Sequence, residues 1–409
     1  MRPTMIGRIV ELSLIVAPPA FALTTFGRVY QPTSNLGFAT AILISECVVI
    51  ICAIIVRMRL GVALRSLSKI TQIAVLVLLC VIAFDSFFVA KYPLFAQSIM
   101  LITILPAIFA LSLTHFAKSG TDLQRFSSAI GWGACTFCIT TYFLLLMVRN
   151  EPGFDWYRVG IGVSNVRQLG FYGLTAAATG AGLMTASNRS TRRSDLGRNA
   201  LFIAIGTGMC FWSGGRAAAV ALIMAIGLAI GMAPRFEAKR IAILILLAFA
   251  MGIALSLIWI PDENYGLTRM LFSSSDANDL NSYTSNRIEI WRETLSFIAQ
   301  RPLLGHGLAQ FKFVVPSAES TFNHPHNAIF QFLFQWGIVG TIAVLIMARS
   351  AFANMRYVIR EKSDAAGLAA ICLLVAHLSM SMLEGNLFHV YPVSVVVFAL
   401  VVLATAKRG

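Results

Sequence analysis

Long apolar runs broken by short polar loops dominate the chain. Runs of roughly 17–22 residues suit helices that cross hydrocarbon, and they recur at about 9–25, 36–56, 70–90, 93–114, 127–148, 168–187, 199–214, 217–233, 241–260, 328–348, 365–384 and 387–406. The pattern predicts an all-α polytopic membrane protein with about 12 transmembrane helices. Between the ninth and tenth runs the pattern changes, giving three parts: 1–260 with nine spans, a large polar loop at 261–327, and 328–409 with the last three spans.

The polar loop opens with the turn-forming residues Asp276, Asn278, Asp279, Asn281 and Ser282. From about Ser285, Ile288, Trp291, Leu295 and Ile298 are spaced by three, four and three, which predicts a helix ending at Arg301-Pro302. It is too short to span and carries Arg287, Glu289, Arg292 and Glu293, so it is expected to lie along the membrane surface. At the start of the tenth run, Asn327, Gln331 and Gln335 are spaced by four, which keeps one helix face polar for two turns. Polar side chains are costly in lipid, so this face implies either a water-filled cavity or hydrogen bonds between helices.

Charge sets the orientation. Cytoplasmic loops are enriched in Lys and Arg, and placing both termini in the cytoplasm puts 21 of the 32 basic residues there, including Arg57, Arg125, Arg193, Arg235 and Arg356. The other 11 include Arg149, Arg158, Arg167, Arg216, Arg269 and Arg287 and fall on the outer face with the large loop. A hydrophobic fraction of 57%, a charged fraction of 12% and a mean hydropathy of +0.77 exclude an ordinary soluble globule. Basic loops against an anionic leaflet account for the net charge of +14 without a nucleic-acid partner. Arg2, Arg8 and the triplet Ala20-Phe21-Ala22 imitate a secretory signal, but Pro18-Pro19 ends the apolar stretch badly for one, so the first run is expected to remain as a span.

All seven cysteines fall within predicted spans, so no disulfide framework is expected, and Cys135-x-x-Cys138 reads as helix packing. There is no Walker A loop, strand-linked GxGxxG, HExxH or clustered aspartate pair, so no cofactor and no metal are expected. Glu46, Asp85 and Glu384 lie in or at the ends of spans; Asp85 and Glu384 are expected to be counterions of outer basic residues, and His377 a packing histidine.

Chemistry concentrates at the outer mouths of the spans. The segment 149–167 carries Trp156 and Tyr157, expected as interface anchors, Gly160 and Gly162 for tight turning, and Arg158 and Arg167 as candidate substrate-binding charges. Arg216 opens a span in CFWSGGRAAAVAL, and Arg287 stands at a helix start, where backbone amides also favour anions. His326 precedes the tenth span.

Together these residues resemble the O-antigen ligase family. The resemblance covers about Leu201 to Ala348 and is carried by NRIEIWRETLSFIAQRPLLGHGLAQF followed by HPHNAIFQFLFQWGIVG, with Gly337 and Gly340 as a Gly-x-x-Gly pair. SGGRAAAVAL is similar to the family's Ser-Arg-small motif, with Gly214 and Gly215 set between Ser213 and Arg216.

The resemblance implies glycan transfer on the periplasmic face of the bacterial inner membrane. An undecaprenyl-pyrophosphate carrier would donate the glycan to an acceptor sugar without nucleotide or metal. On this reading His326 is the general base, Arg216 and Arg287 clamp the pyrophosphate, Asn327 orients His326, and Gln331, Arg158 and Arg167 contact substrate. His324 is the competing base, and His306 a loop residue. Lipid A-core as acceptor would make the chain a ligase, and a growing polysaccharide an O-antigen or exopolysaccharide polymerase. A transporter or flippase would instead require pseudo-repeats and polar residues near the midplane of both halves.

Overall fold

In a computed structural model, the described residues are 3–26, 40–58, 60–65, 67–116, 120–157, 159, 163, 165–263, 265–272, 287–316, 323–361 and 364–406. Their helices, in chain order, are α1 (Pro3–Phe26), α2 (Thr40–Ile55), α3 (Leu60–Arg65), α4 (Lys69–Phe84), α5 (Pro93–Phe116), α6 (Gly120–Met147), α7 (Leu169–Thr185), α8 (Arg193–Trp212), α9 (Arg216–Met232), α10 (Ala238–Ser256), α11 (Gly266–Phe272), α12 (Arg287–Gln300), α13 (Phe311–Val314), α14 (Ala328–Glu361), α15 (Ala365–Ser381) and α16 (Val390–Thr405). No strand occurs among the described residues.

Every predicted run carries a helix. Six stretches (Met5–Thr25, Lys69–Val89, Pro93–Leu113, Asp122–Met147, Ala238–Ser256 and Ala328–Arg360) are long and apolar enough to cross a membrane, and Ile42–Ile55, Arg216–Met232, Ala365–Ser381 and Val390–Thr405 are shorter apolar helices. Large apolar side chains on α2, α4 and α10, such as Ile54, Ile73 and Leu247, face outward, as a lipid-facing surface requires. By contrast every residue of α7 is buried. Its sequence of small residues permits this, since a Cβ on Gly173 would lie 2.7 Å from the carbonyl oxygen of Gly206 in α8.

Three details depart from the sequence reading. First, α14 runs well past 348 and is interrupted at Gly337, whose φ of 58° and ψ of −164° are not helical. The turn segment 302–307 fills the break: Ile338 N donates to Pro302 O (2.8 Å), His306 N to Phe334 O (2.7 Å) and Gly307 N to Gln335 O (3.1 Å). Only glycine fits at 337, because a Cβ would sit 2.2 Å from Leu303 O. Second, α12 buries Ile290 and Thr294 and leaves Leu295 exposed. Its inward stripe is therefore turned from the predicted one, because α12 packs Ile290 with Phe311, Val315 and Phe334 rather than offering only one apolar face to a membrane surface.

Third, Asp85 is not a counterion. It begins a π-helical turn (Asp85–Val89) at the end of α4, where it is fully buried and neither carboxylate oxygen has a hydrogen-bond partner. His377 is buried and meets Thr175 Oγ1 at 2.9 Å, a packing histidine as expected. Glu46 is buried and accepts from Ser394. The cysteines of the described helices are free, and Cys135 and Cys138 are buried in α6.

Candidate functional site

The sequence HPHN forms a tight turn ahead of α14 in which His326 adopts φ 55°, the left-handed region. Such backbone is costly for a residue with a side chain and persists where its surroundings over-determine it. Those surroundings come from both sides. Trp291 Nε1 of α12 donates to Pro325 O at 2.8 Å, and Asn327 Nδ2 donates to Met382 O at 3.1 Å. Asn327 Oδ1 also accepts from Ile329 N (3.0 Å) and Phe330 N (3.2 Å), which caps the helix.

Glu384, just beyond α15, ties this turn to α12. Its Oε1 lies 2.6 Å from His326 Nδ1, and its Oε2 accepts from Arg287 Nη2 at 2.9 Å. Arg287 Nη1 also donates to Leu383 O. Burial pushes Glu384 upward, but the charge and hydrogen bond of His326, together with Arg287 and His324, outweigh it and hold the carboxyl well below the ordinary range. A carboxylate on Nδ1 fixes the tautomer with the proton there and the lone pair on Nε2. That is the geometry of a base with an orienting partner.

His324 differs. It is buried against His326 (ring centroids 4.4 Å) and Phe388 (5.0 Å), and burial followed by the neighbouring His326 and His389 lowers it well below its usual value. Gly385 lies flat against it: a Cβ there would be 1.9 Å from the His324 ring. Burial also brings His389 down to about 4, and its Nε2 lies 3.4 Å from Gln168 Nε2. His306 is buried, stacks on Phe334 (4.7 Å) and meets Phe297 O at 2.8 Å, so it is structural.

A second cluster is built on the turn before α9. Arg216 is the first residue of α9, after Gly214 with φ 65°. The Gly214 carbonyl accepts from Arg269 Nη1 of α11. Arg167, in a 3-10 turn ahead of α7, lies over the Tyr157 ring at 5.2 Å, and its Nε is buried without a partner. An aromatic group holds these loops in place: Trp212 meets Tyr265 (4.7 Å) and Trp259 (5.9 Å), and Trp156 meets Trp259 (5.7 Å). Trp156 and Tyr157 therefore pack within the protein rather than acting only as interface anchors.

His326, Asn327 and Arg287 thus share one junction, while Arg216 and Arg167 belong to the neighbouring cluster, whose Arg269 feels the charge of Glu384. Gln331 and Gln335 are buried, and Gln331 Oε1 lacks a partner. Arg158, Gly160, Gly162 and the loop 273–286 lie outside the described residues. Glu384 and Arg269 were not singled out for the site in the sequence. Glu384 had only the signal of a lone carboxyl in LEGN between two apolar runs, and Arg269 none beyond its place on the outer face. Among the described residues, no group of three or more His, Cys, Asp or Glu is arranged to hold a metal ion.

A multi-helix apolar protein with a histidine–carboxylate–arginine junction at one end of its bundle is the class these features define. Residues 200–345, which carry Arg216, Arg269, Arg287 and His326, match the family model described as O-antigen ligase. The chain is 33% identical over 104 residues to the O-antigen ligase of Pseudomonas aeruginosa, covering 25% of each protein. It is also 23% identical over 130 residues to a Rickettsia felis protein named as a polysaccharide ligase, covering 29% of this chain and 31% of the relative. The matched stretches therefore span about a third or less of these relatives' length.

Proposed function

We propose that the protein is a metal-independent glycosyltransferase of the bacterial inner membrane that ligates an undecaprenyl-pyrophosphate-linked glycan to lipid A-core. The observation that carries this reading is the Glu384–His326 pair set beside Arg287, with His326 and Arg287 inside the stretch that matches the O-antigen ligase family model. The basic loops support a periplasmic site with both termini cytoplasmic.

In the proposed reaction the acceptor hydroxyl attacks the anomeric carbon of the donor. Its proton passes to Nε2 of His326 as the new C–O bond forms, and Glu384 stabilises the imidazolium. The bond from the anomeric carbon to the phosphate oxygen breaks on the opposite face, inverting the centre and releasing undecaprenyl pyrophosphate. The leaving group needs charge stabilisation rather than a proton, which the planar guanidinium forks of Arg216 and Arg287 suit, with Arg167 beside Arg216.

Purified protein in proteoliposomes, given undecaprenyl-pyrophosphate-linked glycan with lipid A-core or with free polysaccharide, tests this. Consumption of lipid A-core with release of undecaprenyl pyrophosphate is the expected result. Elongation of polysaccharide alone would make the chain a polymerase, and no transfer to either acceptor would refute the glycosyltransferase reading.

A further inference from the structure

Arg269 lies on a short helix whose placement is fixed from below. Tyr265, 1% exposed, roots the start of α11 among Trp212 and Trp156, and Arg269 reaches from there to the Gly214 carbonyl. That carbonyl belongs to the turn from which Arg216 starts α9. The backbone of Arg167 closes on the same turn, its carbonyl oxygen 4.0 Å from the position a Cβ would take on Gly215. Three arginines from three separate elements therefore meet at one turn, Arg269 through its side chain, Arg167 through its backbone and Arg216 as the residue that leaves it.

Their charges oppose one another. Burial, then the like charges of Arg167 and Arg216, bring Arg269 down to about 10. Arg287 has the Glu384 carboxylate as its partner, but among the described residues no carboxylate forms an ion pair with Arg167 or Arg269. Holding like charges together at a buried turn is unfavourable, and a dense anion with several acceptor oxygens would relieve it. A pyrophosphate is such an anion, and guanidinium forks match its paired oxygens.

We propose that Arg269 is a further donor-binding arginine, which takes the lipid pyrophosphate together with Arg216 and Arg167 on the side of the donor away from Arg287. This rests on the donor assigned under the proposed function. Gly214 O occupies one nitrogen of Arg269, which leaves the other donors of its fork for the ligand.

The test is binding of undecaprenyl pyrophosphate, with undecaprenol as the uncharged control, to the full-length protein in nanodiscs. Wild type should prefer the pyrophosphate. Arg269→Gln should weaken undecaprenyl pyrophosphate about tenfold or more, the scale of a lost charge-assisted hydrogen bond, and leave undecaprenol unchanged. The melting temperature of the ligand-free variant should be unchanged or raised, since a like charge has gone. Arg269→Lys, which keeps the charge but not the fork, should recover only part of the affinity.

A lower ligand-free melting temperature with unchanged pyrophosphate affinity would reduce Arg269 to a structural tie and overturn the inference alone. If Arg269→Gln fails to fold, Arg269→Lys with wild-type pyrophosphate affinity would also overturn it. Equal binding of undecaprenol and undecaprenyl pyrophosphate by wild type would instead sink the donor assignment and this inference with it.

Discussion

Replacing Glu384 with Gln keeps the side-chain shape and removes its charge. An amide offers one acceptor oxygen where the carboxylate offers two, so of the contacts to His326 Nδ1 at 2.6 Å and Arg287 Nη2 at 2.9 Å one is lost and the other no longer has a carboxylate as acceptor. The contacts are mostly buried, with the Glu384 side chain 15% exposed, so solvent screens them little. Losing one charge-assisted hydrogen bond costs about 2 kcal/mol. If that difference is expressed in the transition state, where His326 carries the acceptor proton, turnover falls by roughly 10- to 100-fold. The assay is single-turnover transfer in membranes at matched expression, with donor binding measured in parallel. Stability gives a second readout with a definite sign. Because the folded-state carboxyl is held below its ordinary value of 4.5, its contribution is fully present above that pH and is lost as pH falls toward the lowered value. The stability gap between wild type and Glu384→Gln should be flat near neutrality and shrink below about pH 4.5. A variant that transfers within about twofold of wild type would refute the orienting role, since a lost base–orienter bond should cost more than that.

Gly385→Ala should disrupt the site through the Cβ that would lie 1.9 Å from the His324 ring; thermal melting should show a loss of about 2 kcal/mol or more, and His324→Ala in the same chain should recover part of it. Reporter fusions at Arg193 and Arg356 should read as cytoplasmic and a fusion at Asp279 as periplasmic, as the basic loops require; a periplasmic signal at Arg193 would invert the site. Transfer should survive exhaustive chelation, and loss in EDTA restored by Mg²⁺ would displace the arginines as the electrophilic element.

Local pattern was legible and long-range partnership was not. The apolar runs located the helices because span length is a property of contiguous sequence, and HPHN marked the junction because a histidine and an asparagine stand directly before an apolar helix. Glu384 could be read as a counterion, which its bond to Arg287 matches. Its simultaneous hold on His326 joins residues 58 positions apart and depends on how α15 packs beside α14. The stripe on α12 differs from the one its spacing predicts because the partner that selects a face, Phe334 with Phe311 and Val315, comes from later in the chain. The abundance of outer basic residues suggests a counterion for Asp85, yet the nearby guanidinium of Arg301 reaches the Val89 carbonyl of the same turn and not the buried carboxyl. Gly337 looked like one member of a Gly-x-x-Gly pair, and its use as a helix break appears only once the segment 302–307 lies against it.

The central claim is that His326 removes the acceptor proton while the arginines hold the donor. Donor binding and single-turnover transfer, measured side by side for His326→Ala and His324→Ala at matched expression, test it most directly. The account predicts that His326→Ala binds undecaprenyl-pyrophosphate-linked glycan as wild type does and loses roughly 10²-fold or more in transfer, the scale of a general base. His324→Ala should be comparatively mild. Near-normal transfer by His326→Ala, or a loss confined to His324→Ala, would contradict it.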